Sequence, residues 1–239
     1  MSMPKPNLPE EMDYAMPTQN VFYARYEESK TESKSDPGPM YHFLKRFLDI
    51  VLSCIGLVLT APVFLIAAIC IKVEDPGGKV FFKQTRIGKN ERPFEMYKFR
   101  SMVSNAEELK KELMKYNEVS GAMFKMKNDP RITRTGRFLR KTSIDELPQL
   151  WNVLLGNMSL VGPRPPLPDE VAQYTEYHKQ RLKVIPGCTG YWQVGARNSV
   201  GFDEMVQMDL KYIKDRCIRL DLKIIMLTGL RILNSKDAY

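Results

Sequence analysis

Between Ile50 and Ile71 lie 22 residues without one charge, IVLSCIGLVLTAPVFLIAAICI, and this run restricts the possible folds more than any other feature. As a straight helix it would measure about 33 Å at about 1.5 Å per residue, enough to cross a hydrocarbon core of about 30 Å. Two features argue against a simple spanning helix. Pro62 sits near the middle, where it lacks an amide hydrogen and crowds the carbonyl of Val58. Basic residues also flank both ends, Lys45 and Arg46 on one side and Lys72 on the other, whereas a span biases them toward one side. A re-entrant helix-break-helix, entering and leaving by the same leaflet, satisfies both observations. A kinked spanning helix and a buried core helix are the alternatives.

The rest of the chain is polar enough for a water-facing domain. Its 239 residues, 44% hydrophobic, suffice for one sizeable domain with an appendage. The formal charge of +8 is uneven: residues 1–44 hold four Lys/Arg against seven Asp/Glu, and residues 72–141 hold eighteen against nine. A basic middle attracts anions, whether nucleic acid, anionic headgroups or a phosphorylated small molecule. Cys54, Cys70, Cys188 and Cys217 form no C-x-x-C pair, which fits a reducing compartment. His42 and His178 lack metal-ligand spacing, so neither a zinc site nor a histidine-based triad is expected.

The chain divides into a mobile N-terminal tail over 1–40, a membrane helix over 41–73 that is either re-entrant or spanning, and a water-facing domain over 74–239 that the family likeness described below makes the catalytic one. The tail is rich in Pro, Glu, Ser and Lys, without apolar periodicity or a signal-peptide core; Phe22, Tyr23 and Tyr26 could dock on a partner. Val80–Arg86 and Phe94–Arg100, separated by a turn cluster, predict a β-hairpin with Lys98 and Arg100 on one face. SNAEELKKELMKYN predicts a polar helix with Glu107 and Lys111 spaced as an ion pair.

The chemistry concentrates in TSIDELPQLWNVLLGNMSLVGPRP, residues 142–165. Asp145 and Glu146 are adjacent carboxylates, preceded by Arg131, Arg134, Arg137, Arg140 and Lys141 and followed by Arg164 between two prolines. One reading is structural: Ser143 and Glu146 match a capping box, with Leu147, Leu150, Trp151 and Leu154 at helical spacing. The other is catalytic, a carboxylate held anionic beside arginines to act as nucleophile or to hold Mg²⁺ on a phosphate. Asp169 and Glu170, after Pro168, have the same helix-start character. No two aspartates stand two positions apart, which disfavours a D-x-D glycosyltransferase.

Five stretches taken in order, KRFLDI, YKFRSM, NDPRITRTGRFLRKTSIDELPQLWNVL, GNMSLVGPRP and PGCTGYWQVGARN, carry a specific likeness. From about Tyr41 to Leu233 the chain resembles the bacterial sugar transferase family of monotopic polyprenyl-phosphate phosphoglycosyl transferases. The resemblance implies an α+β, mainly helical fold: a re-entrant membrane helix-break-helix with its break at Pro62, a β-hairpin, and a cytoplasmic catalytic domain with interfacial helices. It implies transfer of a sugar 1-phosphate from a UDP-sugar to polyprenyl phosphate, with UMP released, at the cytoplasmic face of a bacterial inner membrane. Asp145 is then the nucleophile and Mg²⁺ ligand, and Glu146 completes the dyad. Lys98, Arg140, Arg164, Arg197 and Asp209 are the candidate substrate contacts. The implied partners are the UDP-sugar, polyprenyl phosphate and the bilayer, with no nucleic acid; a homodimer is left open.

Two departures from the family pattern stand out. Ala61 replaces the serine common before the re-entrant proline, with Thr60 one position earlier, and the loop reads Val-Gly-Ala-Arg-Asn where glycine commonly precedes the arginine directly. Larger members also carry an N-terminal block of membrane helices that this sequence does not show. Pro186–Asn198 reads as a loop able to meet the nucleotide. Leu222, Ile225, Met226 and Leu230 share a helical face fit for the membrane interface or for core packing. The competing function is a membrane-tethered basic module that binds anionic lipid or nucleic acid without chemistry, which leaves the carboxylate pair idle.

Overall fold

Pro39, at the first turn of a helix where a missing amide hydrogen is harmless, opens α1 (Pro39–Glu74), which runs through Pro62 without a gap. The computed structural model describes residues 36–113, 126, 129–195 and 201–233. The expected break is therefore not an interruption of helical residues. Pro62 still removes the donor to the Val58 carbonyl. Thr60 does not replace it, because its hydroxyl donates to the Gly56 carbonyl at 2.6 Å, a back-bond that favours bending.

Both ends of α1 are fastened by polar groups within the unit Pro37–Tyr239. Near the start, Arg46 donates to the carbonyls of Val153 and Leu154, and Asp49 accepts from Ser159 Oγ and the Leu160 amide. At the end, Glu74 accepts from the amides of Arg134 and Thr135, and Asp75 pairs with Arg100 at 2.8 Å. Between them, Val58 and Leu59 are 73% and 74% exposed, with Leu65, Ile66 and Ile69 also open. The helix is long and apolar enough to cross a membrane, and an exposed apolar face of this size marks a membrane or protein interaction surface.

The hairpin forms one residue later on its first strand and one earlier on its second than predicted. β1 (Phe81–Ile87) pairs antiparallel with β2 (Pro93–Phe99), Phe82 opposite Lys98 and Arg86 opposite Phe94. Directly opposed residues share a face, so Arg86, Met96 and Lys98 lie together. Arg100 falls beyond the strand and is taken by Asp75, so it does not work beside Lys98 as its spacing suggested.

Helix α2 (Ala106–Leu113) follows; the predicted Glu107–Lys111 pair lies outside the described side chains. Helix α3 (Arg134–Lys141) is capped by Thr133, which accepts from the Gly136 amide. A Cβ on Gly136 would meet the Ser101 carbonyl oxygen at 2.0 Å, so only glycine lets α3 press this close to Ser101. A 3₁₀ turn (Ile144–Glu146) leads to α4 (Gln149–Leu155).

Strand β3 (Ser159–Val161), short helices α5 (Pro168–Val171) and α6 (Glu176–Lys179), and strand β4 (Gly187–Thr189) come next, β4 pairing parallel with β3. Then follow α7 (Tyr191–Gly195), α8 (Phe202–Asp215) and α9 (Ile218–Leu233). The fold is thus α+β and mainly helical, with two small sheets among the described residues. Pro186–Asn198 is not simply a loop, since it contains β4 and α7; Arg197 and Asn198 lie outside the described residues, as do Phe22, Tyr23 and Tyr26.

Three apolar clusters hold these pieces. Ala67 and Ile71 of α1 pack with Phe99 and Leu139; Met96 packs with Val153 and Met158; Val161 packs with Tyr212 and Ile224. On α9 the core side is Ile224, whereas Leu222, Met226 and Leu230 are exposed, as an interfacial face requires, and Ile225 is turned partly inward. Buried Asp221 joins α9 to α1 by accepting from Tyr41, Lys45 and Tyr212.

Candidate active site

The turn carrying the carboxylates is shaped by Ser143, whose φ of 57° is left-handed. Its side chain makes no cap, and Glu146 turns to the hairpin, so the capping-box reading fails. Lys98 Nζ lies 2.7 Å from Glu146 Oε1. Burial alone would raise the Glu146 pKa, but the charge and hydrogen bond of Lys98, with Arg164 and Arg86 behind, hold it below the ordinary carboxylate range.

Asp145 behaves oppositely. It is only 8% exposed. Burial pushes its carboxyl up to about 6, opposed by Lys98, reinforced by the negative charge of Glu146 and opposed again by Arg140. Two adjacent carboxyl groups are thereby driven apart in acidity, Asp145 up by burial and Glu146 down by Lys98.

Glu146 opens into a cleft. The hairpin supplies Arg86, Met96 and Lys98; the turn and α4 supply Glu146 and Gln149; the proline-bracketed loop supplies Arg164 and Pro165; Gly187, Cys188 and Gln193 close the far wall. Asp145 and Arg140 do not line it. Arg140 is held by its Nε, which donates to Ser101 Oγ at 2.9 Å, and acts on Asp145 by charge. The close contact at Gly136 is what brings these two residues together.

Arg164 is exposed and faces this cleft. A Cβ on Gly162 would stand 2.7 Å from the Ile185 carbonyl oxygen, so a glycine is needed where the loop crosses the β4 segment. Asp209 is not in the cleft: at 1% exposure it pairs with Arg181, burial pushing its carboxyl up to about 6 against that cation. The role expected for it as a direct substrate contact has no geometric basis. Asp169 is exposed, and Glu170 accepts from the Leu167 amide at 2.9 Å, a helix-start duty.

Sequence reasoning missed Arg86, Gln149 and Arg181. Arg86 is buried, donates to the Pro165 carbonyl at 2.9 Å, and is lowered to about 10 by burial and by Arg164. Alternation along β1, once the register with Lys98 is known, would have found it. Arg181 and Gln149 carry no such signal.

The cleft can hold anionic phosphates among Arg86, Lys98 and Arg164, next to carboxylates able to attack or to carry a proton. Among the described residues no group of three His, Cys, Asp or Glu could by itself hold a metal. Asp145 and Glu146 are hard oxygen donors of the kind that Mg²⁺ takes, and the expectation of Mg²⁺ rests on them.

Comparison with known proteins identifies the family. The galactosyl transferase CpsE of Streptococcus agalactiae is 50% identical over 187 residues, 77% of this chain and 41% of its own length. The undecaprenyl-phosphate galactose phosphotransferase of Salmonella typhimurium is 45% identical over 201 residues, 82% of this chain and 42% of its own length. The exopolysaccharide production protein ExoY of Rhizobium meliloti is 38% identical over 205 residues, 84% of this chain and 90% of its own length. The chain thus spans about two fifths of the first two relatives and most of the third. Residues 40–235 match the family described as bacterial sugar transferase, and to that family this chain belongs.

Proposed function

We propose that the chain transfers a sugar 1-phosphate from a UDP-sugar to polyprenyl phosphate, giving polyprenyl-diphosphate sugar and UMP, as the first membrane step of surface glycan assembly. The observation that carries this reading is the Asp145–Glu146 pair beside a cleft lined by Lys98, Arg86 and Arg164. A module that only bound anionic lipid or nucleic acid would have no use for two carboxylates of divergent acidity there.

In this reading an Asp145 carboxylate oxygen attacks the β-phosphorus, the bond from that phosphorus to the oxygen of UMP breaks, and UMP leaves with the bonding electrons. An oxygen of polyprenyl phosphate then attacks the same phosphorus and frees the carboxylate. Glu146, kept anionic by Lys98, takes the proton of the incoming phosphate. Arg164 and Arg86 bind the pyrophosphate, and Arg140 favours the ionised form of Asp145. Asp145 would hold Mg²⁺, which would supply further positive charge against the phosphates.

The membrane reading is that α1 is re-entrant and that the catalytic domain rests on the cytoplasmic face. It is supported by the polar fastening of both ends of α1 to one unit, as expected of a helix that enters and leaves by the same face. Incubation with polyprenyl phosphate, Mg²⁺ and a panel of UDP-sugars should release UMP with at least one of them. Silence across the panel, with the fold intact, would refute the reaction.

A further inference from the structure

Every backbone carbonyl from Pro163 to Pro166 is taken by a donor. Pro163 accepts from the Gly187 amide at 2.8 Å, Arg164 from Arg181 Nη2 at 3.2 Å, Pro165 from Arg86 Nη1 at 2.9 Å, and Pro166 from the Ile87 amide at 3.0 Å. Two of the four donors are guanidinium groups. Arg86 lines the cleft and can meet substrate directly. Arg181 does not line it, and is only 2% exposed.

A guanidinium removed from water is costly unless its donors are engaged. Arg181 uses Nη1 on Tyr174 Oη at 3.0 Å and Nη2 on both Asp209 Oδ2, at 2.5 Å, and the Arg164 carbonyl, while its buried Nε has no partner among the described residues. Its planar fork can serve three acceptors at fixed angles, which the compact ammonium of lysine cannot reproduce. The Arg164 backbone is thus tied from below while its side chain faces the cleft.

We infer that Arg181, braced by Asp209 and Tyr174, is a positioning residue that orients Arg164 toward the diphosphate of the substrate. This rests on the proposed reaction only in naming the ligand that Arg164 meets. It also explains why Asp209 is buried away from the cleft, since that carboxylate anchors Arg181. Arg181 acts on the reaction through Arg164 and not through contact with any reacting atom.

A double-mutant cycle tests it on the full chain in lipid nanodiscs, using Arg164→Ala, Arg181→Lys and their combination. Two quantities are read, kcat/KM for UMP release and the affinity for UDP with Mg²⁺, alongside the melting temperature. Each single change should lower both quantities roughly tenfold or more, and the combination should fall no further than Arg164→Ala within about twofold, as residues acting as one unit do. Losses that multiply, or an Arg181→Lys protein as active as the parent, overturn the inference. Should Arg181→Lys fail to fold, Tyr174→Phe removes a single oxygen of the brace and must show the same lack of additivity. If the parent binds UDP but releases no UMP, the proposed reaction fails, while the binding cycle still decides the role of Arg181. If the parent does not bind UDP, both fall.

Discussion

Lys98 Nζ sits 2.7 Å from Glu146 Oε1 and reaches Asp145 by charge alone, so the hairpin lends its cation to one carboxylate while biasing both. The pair is then divided in acidity, with Glu146 held low and Asp145 raised. Replacing Lys98 with Met should remove the partner of Glu146 and a phosphate-binding cation together. UMP release should fall by about 10²–10³-fold, the loss typical when one preorganised electrostatic contact is deleted. Steady-state assays at matched melting temperature would check it.

The raised Asp145 predicts a pH dependence whose sign is fixed. Its carboxyl must be ionised to attack, and it takes up a proton as pH falls through about 6. kcat/KM should therefore decline on the acid side, about tenfold per pH unit well below that point. Glu146→Gln removes a neighbouring negative charge and should move this limb to lower pH. Lys98→Met should move it to higher pH, and saturating Mg²⁺ to lower pH. A limb indifferent to both substitutions would detach it from Asp145.

Asp169 and Glu170 separate helix-start chemistry from catalysis. Changing both to Ala removes the Glu170 bond to the Leu167 amide and no group that lines the cleft. Turnover should stay within about tenfold of the parent, with a loss of stability of about 0.5–2 kcal/mol, the usual worth of a cap. Thermal unfolding together with UMP release would measure both.

Tyr212 donates to Asp221 at 2.7 Å within the buried cluster that joins α9 to the start of α1. Tyr212→Phe should destabilise the chain by about 1–3 kcal/mol, since part of a buried carboxylate loses a donor. The expected readout is a lower melting temperature.

The fastening of both ends of α1 predicts that its flanks are labelled from one side. Cysteines placed at Pro37 and Ser104, in a background without the four native cysteines, should both react from the cytoplasmic side of sealed vesicles. Labelling from opposite sides would defeat the re-entrant reading.

Much of this was legible in the sequence because it is local. The uncharged run with Pro62, the hairpin to within one residue and the carboxylates near basic residues all follow from neighbouring side chains. The capping box misled because its spacing presumes ordinary helical entry, and nothing local announces that Ser143 is left-handed. Arg181 and Asp209 act across 28 positions of chain, and Arg86 meets Pro165 across 79. Such pairings are decided by tertiary packing, which leaves no period in the sequence. Pro62 leaves the run of helical residues uninterrupted, so its mark on α1 is a missing backbone hydrogen bond and not a gap.

The central claim is that Asp145 is the nucleophile, although Glu146 is the carboxylate that lines the cleft. The direct test is to incubate the chain with Mg²⁺ and an accepted UDP-sugar labelled in its sugar, without polyprenyl phosphate, then locate the bound label by peptide mapping. Label should appear on Asp145, be missing in Asp145→Asn, persist in Glu146→Gln, and discharge on adding polyprenyl phosphate. Label on Glu146, or undiminished turnover in Asp145→Asn, would contradict it.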